Sequence, residues 1–361
     1  MKNLIQNLPV KIRVMGFFSV VCLLFTGMIF IYENQILKDS YDQQMAERWS
    51  KEGGTSQISV FYAENAVENE SYFLGIGQNV EKALSNASVT KDKEQARLWI
   101  SALSRMGKVT LTTERANIEL QTVGVSGEFF QFHPQKIVSG AMLSEDNIMK
   151  DGIIIDEETA WQLFGSSDVV GMQVMIGAVP HYVRGVIERG NSRLENAAGL
   201  GKPICYLSLD SLEHYGTTVG GFSYEIVLPN PVKGFALSTM KTLVGNERED
   251  VVLVENSTRF QVLSLIRVLQ SFGMRSMSFQ GVVYPYWENI ARGWEDILAV
   301  CLFLKGVLLI GPIVFVIGFI RYLWKQRTWN MSQVVVWIQG RVYEAGTRRV
   351  QKKKKKKDRE T

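Results

Sequence analysis

Hydrophobic positions run together at two places in the chain; between those places they alternate or recur at short spacing. Val14 to Tyr32 (VMGFFSVVCLLFTGMIFIY) is 19 residues without a charge, and Ile297 to Ile320 (ILAVCLFLKGVLLIGPIVFVIGFI) is 24 residues with one, Lys305. At helical rise the shorter run is about 28 Å long, close to the hydrocarbon thickness of a bilayer. A backbone in lipid must satisfy its own hydrogen bonds, so each run is predicted as one spanning helix. The first exceeds the apolar core of a secretion signal, and Tyr32-Glu33-Asn34-Gln35 offers no small-x-small cleavage pattern. It reads as an uncleaved anchor.

The pattern between the runs predicts a globular domain. Ile36 to Trp49 has helical composition and extends the first helix as a stalk, ended by Gly53-Gly54. Gln57 to Tyr62 alternates and is rich in β-formers, as a strand should be. Lys91 to Met106 places Ala96, Leu98, Trp99, Ala102 and Leu103 on one helical face. Val109 to Thr113 and Ile118 to Val125 follow as strands. Gly152 to Ile155 is a short buried strand, after which Asp156 caps a helix carrying Glu157 and Glu158 in its first turn. Ala160, Leu163 and Phe164 form that helix's inner side and Gly165 stops it. Met172 to Ile176 and Tyr182 to Glu188 make a hairpin across Gly177-Ala178-Val179-Pro180. Asn191 to Lys202 has loop composition. Pro203 to Leu209, Tyr224 to Leu228 and Val251 to Glu255 are strands; Phe235 to Leu243 and the amphipathic Phe260 to Phe272 are helices. Tyr284 to Asp296 leads into the second apolar run. Strands and helices interleave, which predicts an α+β domain.

Charge orients this arrangement. Residues 1–13 carry three basic side chains and no acid, residues 33–296 carry 23 basic and 33 acidic, and residues 321–361 carry 13 basic and 3 acidic. By the positive-inside rule both basic ends face the cytoplasm, leaving residues 33–296 outside and placing spans at 14–32 and 297–320 in the cell membrane. Cys22 and Cys301 fall in the apolar runs. Cys205 is therefore the one thiol of the outer domain, which must stand on its hydrophobic core without an internal disulfide.

Several phrases of the outer domain, in order, carry a family resemblance. They are VGVSGEFFQFHPQKIVSGAML (Val123 to Leu143), GIIIDEETAWQLFG (Gly152 to Gly165), VVGMQVMIGAVPHYVRGVIE (Val169 to Glu188), YEIVLPNPVKGFA (Tyr224 to Ala236) and YPYWENIARGWED (Tyr284 to Asp296). The domain resembles the extracytoplasmic core domain of the MacB-like ABC-transporter permeases, a group related to FtsX. The resemblance implies a mechanical role. In such machines a cytoplasmic ATPase dimer closes on ATP, and membrane helices pass the motion to an outer domain through helical stalks. It also implies structural roles for Phe129, Phe130, Leu163, Phe164, Gly165, Gly171 and Gly185 in the core, and for Trp287 to Asp296 in the stalk. The family pattern has four membrane helices and this chain carries two, so the resemblance implies either further helices from another permease subunit or a second copy, or a subunit that acts without them.

Candidate chemistry is sparse. His133, His181 and His214 are far apart with no Cys or acid at ligand spacing, so no metal is expected. Ser126-Gly127-Glu128 and Gly199-Leu200-Gly201-Lys202 lack the frames of a nucleophile elbow or a phosphate loop, so neither catalysis nor a cofactor is expected. Lys305 reads either as an intramembrane contact with a partner or as a side chain at the headgroups above a shorter span. Pro312 reads as a proline tolerated within a membrane helix. The six-lysine run Lys352 to Lys357 lacks an aromatic platform for nucleic acid and reads as a solvated tail near anionic lipid; Val334 to Val342 reads as a short interfacial segment. Asn69, Asn86, Asn256 and Asn330 head N-x-[ST] triplets. The expectation is a non-catalytic membrane subunit of an ABC-type machine. A stand-alone receptor or adaptor with an outer binding domain is the alternative, and an extracytoplasmic enzyme would need an acid–base or nucleophile set that the sequence does not display.

Overall fold

The computed structural model describes residues 9–50, 53–66, 68–89, 97–144, 149–245, 248–272, 278–279, 281–326, 335–336 and 341. The lysine run and most of 334–342 lie outside the described residues. In chain order the elements are α1 (Val10–Asp39), α2 (Met45–Trp49), β1 (Thr55–Tyr62), α3 (Glu70–Asn86), β2 (Ile100–Thr112), β3 (Asn117–Gly127), α4 (Phe129–Phe132), β4 (Ile137–Gly140), β5 (Gly152–Asp156), α5 (Glu157–Phe164), β6 (Gln173–Ile176), β7 (Val179–Ile187), α6 (Arg193–Ala197), β8 (Ile204–Ser208), α7 (Leu209–Tyr215), β9 (Thr217–Pro229), α8 (Phe235–Val244), β10 (Val251–Glu255), α9 (Val262–Gln270), β11 (Ser278–Phe279), β12 (Val282–Val283) and α10 (Tyr286–Gln326). Single 3-10 turns occupy Tyr41–Gln43 and Asn256–Thr258.

Two compact units emerge. The smaller, residues 1–30 with 304–361, contains most of both apolar runs. Both helices are long and apolar enough to cross a membrane. Within this unit they touch through small residues: a Cβ on Gly16 would lie 3.1 Å from Phe315, and one on Gly311 would lie 3.3 Å from Cys22 and Phe18. Small residues let helix backbones approach closely where no hydrophobic effect drives them together. Pro312 lies within α10.

The larger unit, residues 31–303, is built on one mixed sheet ordered β10-β1-β9-β2-β3-β8-β5-β7-β4, with β6 bridging β2 and β7. The β3/β8 and β5/β7 pairs are parallel and the rest antiparallel. Because side chains alternate along a strand, one strand serves two cores. On β9, Phe222, Tyr224, Ile226 and Leu228 enter a core with Phe73, Ile76 and Val80 of α3 and Ala236 and Met240 of α8. On β8 and β5, Cys205, Leu207, Ile153 and Ile155 join a core with Ala160 and Leu163 of α5 and Leu212 of α7. The alternate residues Tyr206 and Ile154 enter a third core with Met45, Phe129, Tyr286 and Trp287. That third core seats the sequence flanking both apolar helices against the sheet.

The α+β expectation holds, with local corrections. The helix expected over Lys91 to Met106 is not formed over its described part: β2 begins at Ile100, and residues 91–96 lie outside the described residues. Ala102 and Leu103 are both buried, in different cores on opposite faces of the sheet. A strand buried on both faces loses its alternation, and its apolar residues then imitate helical spacing. The first stalk is not one helix to Trp49. Ser40 Oγ donates to Ile36 O at 2.8 Å, α1 ends at Asp39, and the chain turns before α2. Asn191 to Lys202 contains α6, started by a capping box in which Ser192 Oγ accepts from Glu195 N–H and the Glu195 carboxylate accepts from Ser192 N–H. The hairpin turn is shorter than expected, since Ile176 already pairs with Val179.

Candidate functional site

One side of the sheet carries a chain of polar groups, buried from His133 to Glu295 and partly exposed at its first member. Its first member, Asp42, sits in the turn after α1. Gln57 of β1 holds that turn by donating from Nε2 to Asp42 O at 2.6 Å while its Oε1 accepts from Met45 N–H at 2.9 Å. Asp42 Oδ1 lies 3.2 Å from His133 Nδ1, and His133 Nε2 makes a very short contact with Glu225 of β9. Ser59 of β1 stands opposite Glu225 in register and donates to its Oε1 at 2.6 Å. Asn256 Nδ2 donates to Ser59 Oγ at 2.7 Å, and Arg259 Nη1 donates to Asn256 Oδ1 at 2.8 Å. Arg259 then grips two acids of α10: both Nη groups donate to Glu288 at 2.9 Å and Nε donates to Glu295 at 2.8 Å.

Donors and acceptors alternate without conflict along this chain. Arg259 offers protons to Asn256, Asn256 to Ser59, Ser59 to Glu225, and a protonated His133 offers protons to Glu225 and toward Asp42. Such matching makes the burial tolerable, because an unpaired charge in the interior costs several kcal/mol. Burial is the largest influence on His133 and pulls its pKa down, but the charges of Glu225 and Asp42 and their hydrogen bonds outweigh it, and the value rises to about 9. Burial likewise opposes the charge on Arg259, and Glu288 and Glu295 overcome it, so its pKa rises. Burial raises the pKa of Glu288 against the opposing pull of Arg259. Asn256 spends its side-chain amide inside this network and is 4% exposed, so its N-x-[ST] triplet is unavailable to a modifying enzyme.

Aromatic packing fixes the ends of the chain. Phe129 meets Trp287 edge-on at 5.4 Å, and the His133 ring lies 4.4 Å from Trp287. Tyr206 and Tyr286 share a hydroxyl hydrogen bond of 2.8 Å. Arg48 of α2 donates to the carbonyls of Gln131 and Phe132, at 2.5 and 3.2 Å, tying the first stalk's base to α4.

The residues singled out in the sequence divide into two places. Phe129 is buried beside Trp287, with Phe130 half-buried against the same core and facing a cleft of about 240 Å³. Leu163 is buried, Phe164 flanks it, and Gly165 ends α5 in the left-handed region at φ 78°. Gly171 also has positive φ, at 84°. A Cβ on Gly185 would meet Ala141 O at 2.7 Å, so only glycine lets that strand approach so closely. Asp156 caps α5 as expected, accepting from Thr159 N–H at 3.0 Å, and also accepts from Ile204 N–H and pairs with Arg189. Lys305 is half-buried on α10 in the smaller unit.

The polar chain is not foreseen in the sequence: Glu288 and Glu295 stand out only as part of the stretch Trp287 to Asp296, His133 only as an isolated histidine and Asn256 only as the head of an N-x-[ST] triplet. His133 belongs to the polar chain, while His181, against Ser211, and His214, exposed beside Asp210, flank the ring of Tyr215 at 5.8 and 6.1 Å. Among the described residues no cluster of three or more His, Cys, Asp or Glu is arranged to hold a metal. A signal did exist for Glu225, a lone acid inside the apolar phrase Tyr224-Glu225-Ile226-Val227-Leu228, where an outward position would have needed no apolar neighbour beyond it.

Comparison with known proteins bears on this arrangement. The profile of the MacB-like periplasmic core domain matches residues 28–233, more than half of the chain. A macrolide export ATP-binding/permease protein MacB from Chromobacterium violaceum is 29% identical over 73 residues, 20% of this chain and 11% of that protein, so the chain spans a small fraction of that relative. Among solved structures, the periplasmic region of MacB from Actinobacillus actinomycetemcomitans is similar at TM-score 0.40 and 14% identity, covering 62% of this chain and 95% of that one. The extracellular domain of the noncanonic ABC-type transporter YknZ from Gram-positive bacteria is similar at TM-score 0.35 and 13% identity, covering 55% of this chain and 99% of that one. With the profile running from the end of the first apolar stretch through β9, the chain belongs to the MacB-like periplasmic core domain family.

Proposed function

We propose that this protein is a non-catalytic membrane subunit of an ABC-type transporter or mechanotransmission complex, moved by a partner ATPase inside the cell. In this reading residues 14–32 and 297–320 span the membrane, residues 33–296 lie outside, and both ends are cytoplasmic. Another permease subunit or a second copy completes the membrane part. The observation that carries the reading is the polar chain from Asp42 to Glu295, buried from His133 onward. It joins the turn after α1 to the first turns of α10, ahead of the second apolar run, through the sheet. A displacement of one stalk base relative to the other must either move the sheet with it or break charged hydrogen bonds in a dry interior, which costs several kcal/mol.

Affinity purification of the full-length protein in mild detergent tests the assembly. A P-loop ATPase and a multi-span permease, or a second copy of this chain, should be recovered with it. A monodisperse monomer with no ATPase, from membranes in which the ATPase is present, overturns the proposal.

A further inference from the structure

Helix α9 has an apolar arc wider than the surface it packs on. Leu265 is buried, and Val268 and Leu269 lie beside it, in a cluster with Ile36 of α1 and Leu298 and Ala299 of α10. Around the wheel from those residues, Val262, Leu263 and Ile266 point outward at 58%, 70% and 40% exposure. Arg267 and Gln270 occupy the remaining exposed positions. A helix that only covers a core would turn polar at this flank.

The position of α9 along the stalks says what covers that flank. Ile36 lies four residues beyond Tyr32, the end of the first apolar run, or about 6 Å by helical rise. Leu298 is the second residue of the other run. The headgroup layer extends roughly 5–7 Å beyond the hydrocarbon core on each side. A helix packed on Ile36 and Leu298 therefore sits within that layer, and its diameter of about 10 Å brings its flank to the acyl boundary. The geometry points to α9 as a membrane-interface helix, with Val262, Leu263 and Ile266 seated in the outer leaflet and Arg267 reaching the phosphates. The occupant is the lipid surface, which fits a scattered apolar flank edged by one cation. This inference rests on the proposed spans.

Nitroxide scanning of the full-length protein in lipid nanodiscs tests it. Cys22→Ala and Cys301→Ala clear the apolar runs. Cys205 is fully buried, with a thiol pushed up to about 12 by burial despite its Thr122 contact, and stays unlabelled. Single cysteines are then placed by Leu263→Cys, Ile266→Cys, Ile310→Cys and Lys241→Cys, all at exposed positions. At 263 and 266 the accessibility to oxygen relative to a water-soluble nickel chelate should exceed that at 241 several-fold and approach that at 310. Values at 263 and 266 matching 241, with 310 still in lipid, overturn the inference and leave the spans intact. Shielding of 263 and 266 from both reagents also overturns it, since protein would then cover the flank. A water-like value at 310 removes the spans themselves.

Discussion

Two regions of the large unit are built on opposite plans. The brace from β5 through α5 and β6 to β7 occupies residues 152–187, and its devices are local. Asp156 caps three residues ahead, Gly165 stops the helix, and a two-residue turn joins β6 to β7. Its interior is mainly aliphatic, with Asp156, Thr159 and His181 as its buried polar side chains. The polar chain draws on residues from 42 to 295, with links such as His133–Glu225 and Ser59–Glu225 made 92 and 166 positions apart. A local apolar brace holds its shape through close-packed contacts made largely among its own residues. A directional chain of buried charges exists only when the whole sheet is assembled, and small displacements break it. The first plan suits a rigid body and the second suits a coupling.

The largest expected effect comes from cutting that chain at its most charged member. Arg259→Ala leaves Glu288 and Glu295 buried with their main partner gone and should cost about 3–5 kcal/mol, read as a large drop in the thermal unfolding midpoint. Replacing the cluster together (Arg259→Met, Glu288→Leu, Glu295→Met) should recover most of that stability, since well-packed apolar groups can substitute for a buried ion cluster. The coupling plan then predicts that the triple variant folds and assembles yet fails to transmit, measured as loss of transport or of activation in cells. A triple variant that folds and works normally would leave the chain a purely structural feature.

How far each region was legible in the sequence follows from the same contrast. The cap at Asp156, the strand at Gly152–Ile155, the glycine stop and the hairpin are written within a few residues of each other, and local rules recover them. The second half of β2 is legible as the strand expected from Val109, but its first half reads as helix because Ala102 and Leu103 face different cores, and burial on both sides erases the alternation that marks a strand. The turn at Ser40 was hidden because Ile36 to Trp49 has helix-forming composition throughout, and the break comes from docking Met45 and Ala46 on the sheet. The polar chain was not legible as a unit. No spacing rule links Asp42, His133, Glu225 and Arg259, which only the strand order brings together.

A smaller effect, with a distinct pH signature, is expected at His133. Its pKa rises from an ordinary 6.5 in the unfolded chain to about 9 in the fold. The folded state therefore keeps a proton that the unfolded state releases, and stability falls with rising pH between these values. The contribution is complete below about pH 6.5 and gone above about 9; its size is on the order of 3 kcal/mol. His133→Gln should lower the unfolding midpoint most at pH 6, and the gap from the parent should narrow steadily toward pH 9.5. A gap independent of pH would mean that the ring acts by its packing against Phe129 and Trp287 and not by its charge.

The smallest effect belongs to the brace. Gly165 holds φ 78° and ψ 18° at the end of α5, a conformation that costs a residue with a side chain roughly 1 kcal/mol. An added Cβ would also meet the Arg115 guanidinium, but that side chain is exposed and flexible and can swing aside. Gly165→Ala should therefore lower the unfolding midpoint by only a few degrees, and Gly165→Asn by less, because asparagine tolerates the left-handed region. Neither should disturb transport, since the brace carries no link between the stalk bases. A Gly165→Ala variant that stays as stable as the parent but loses transport would reverse the contrast, making the brace the moving part and the polar chain the rigid one.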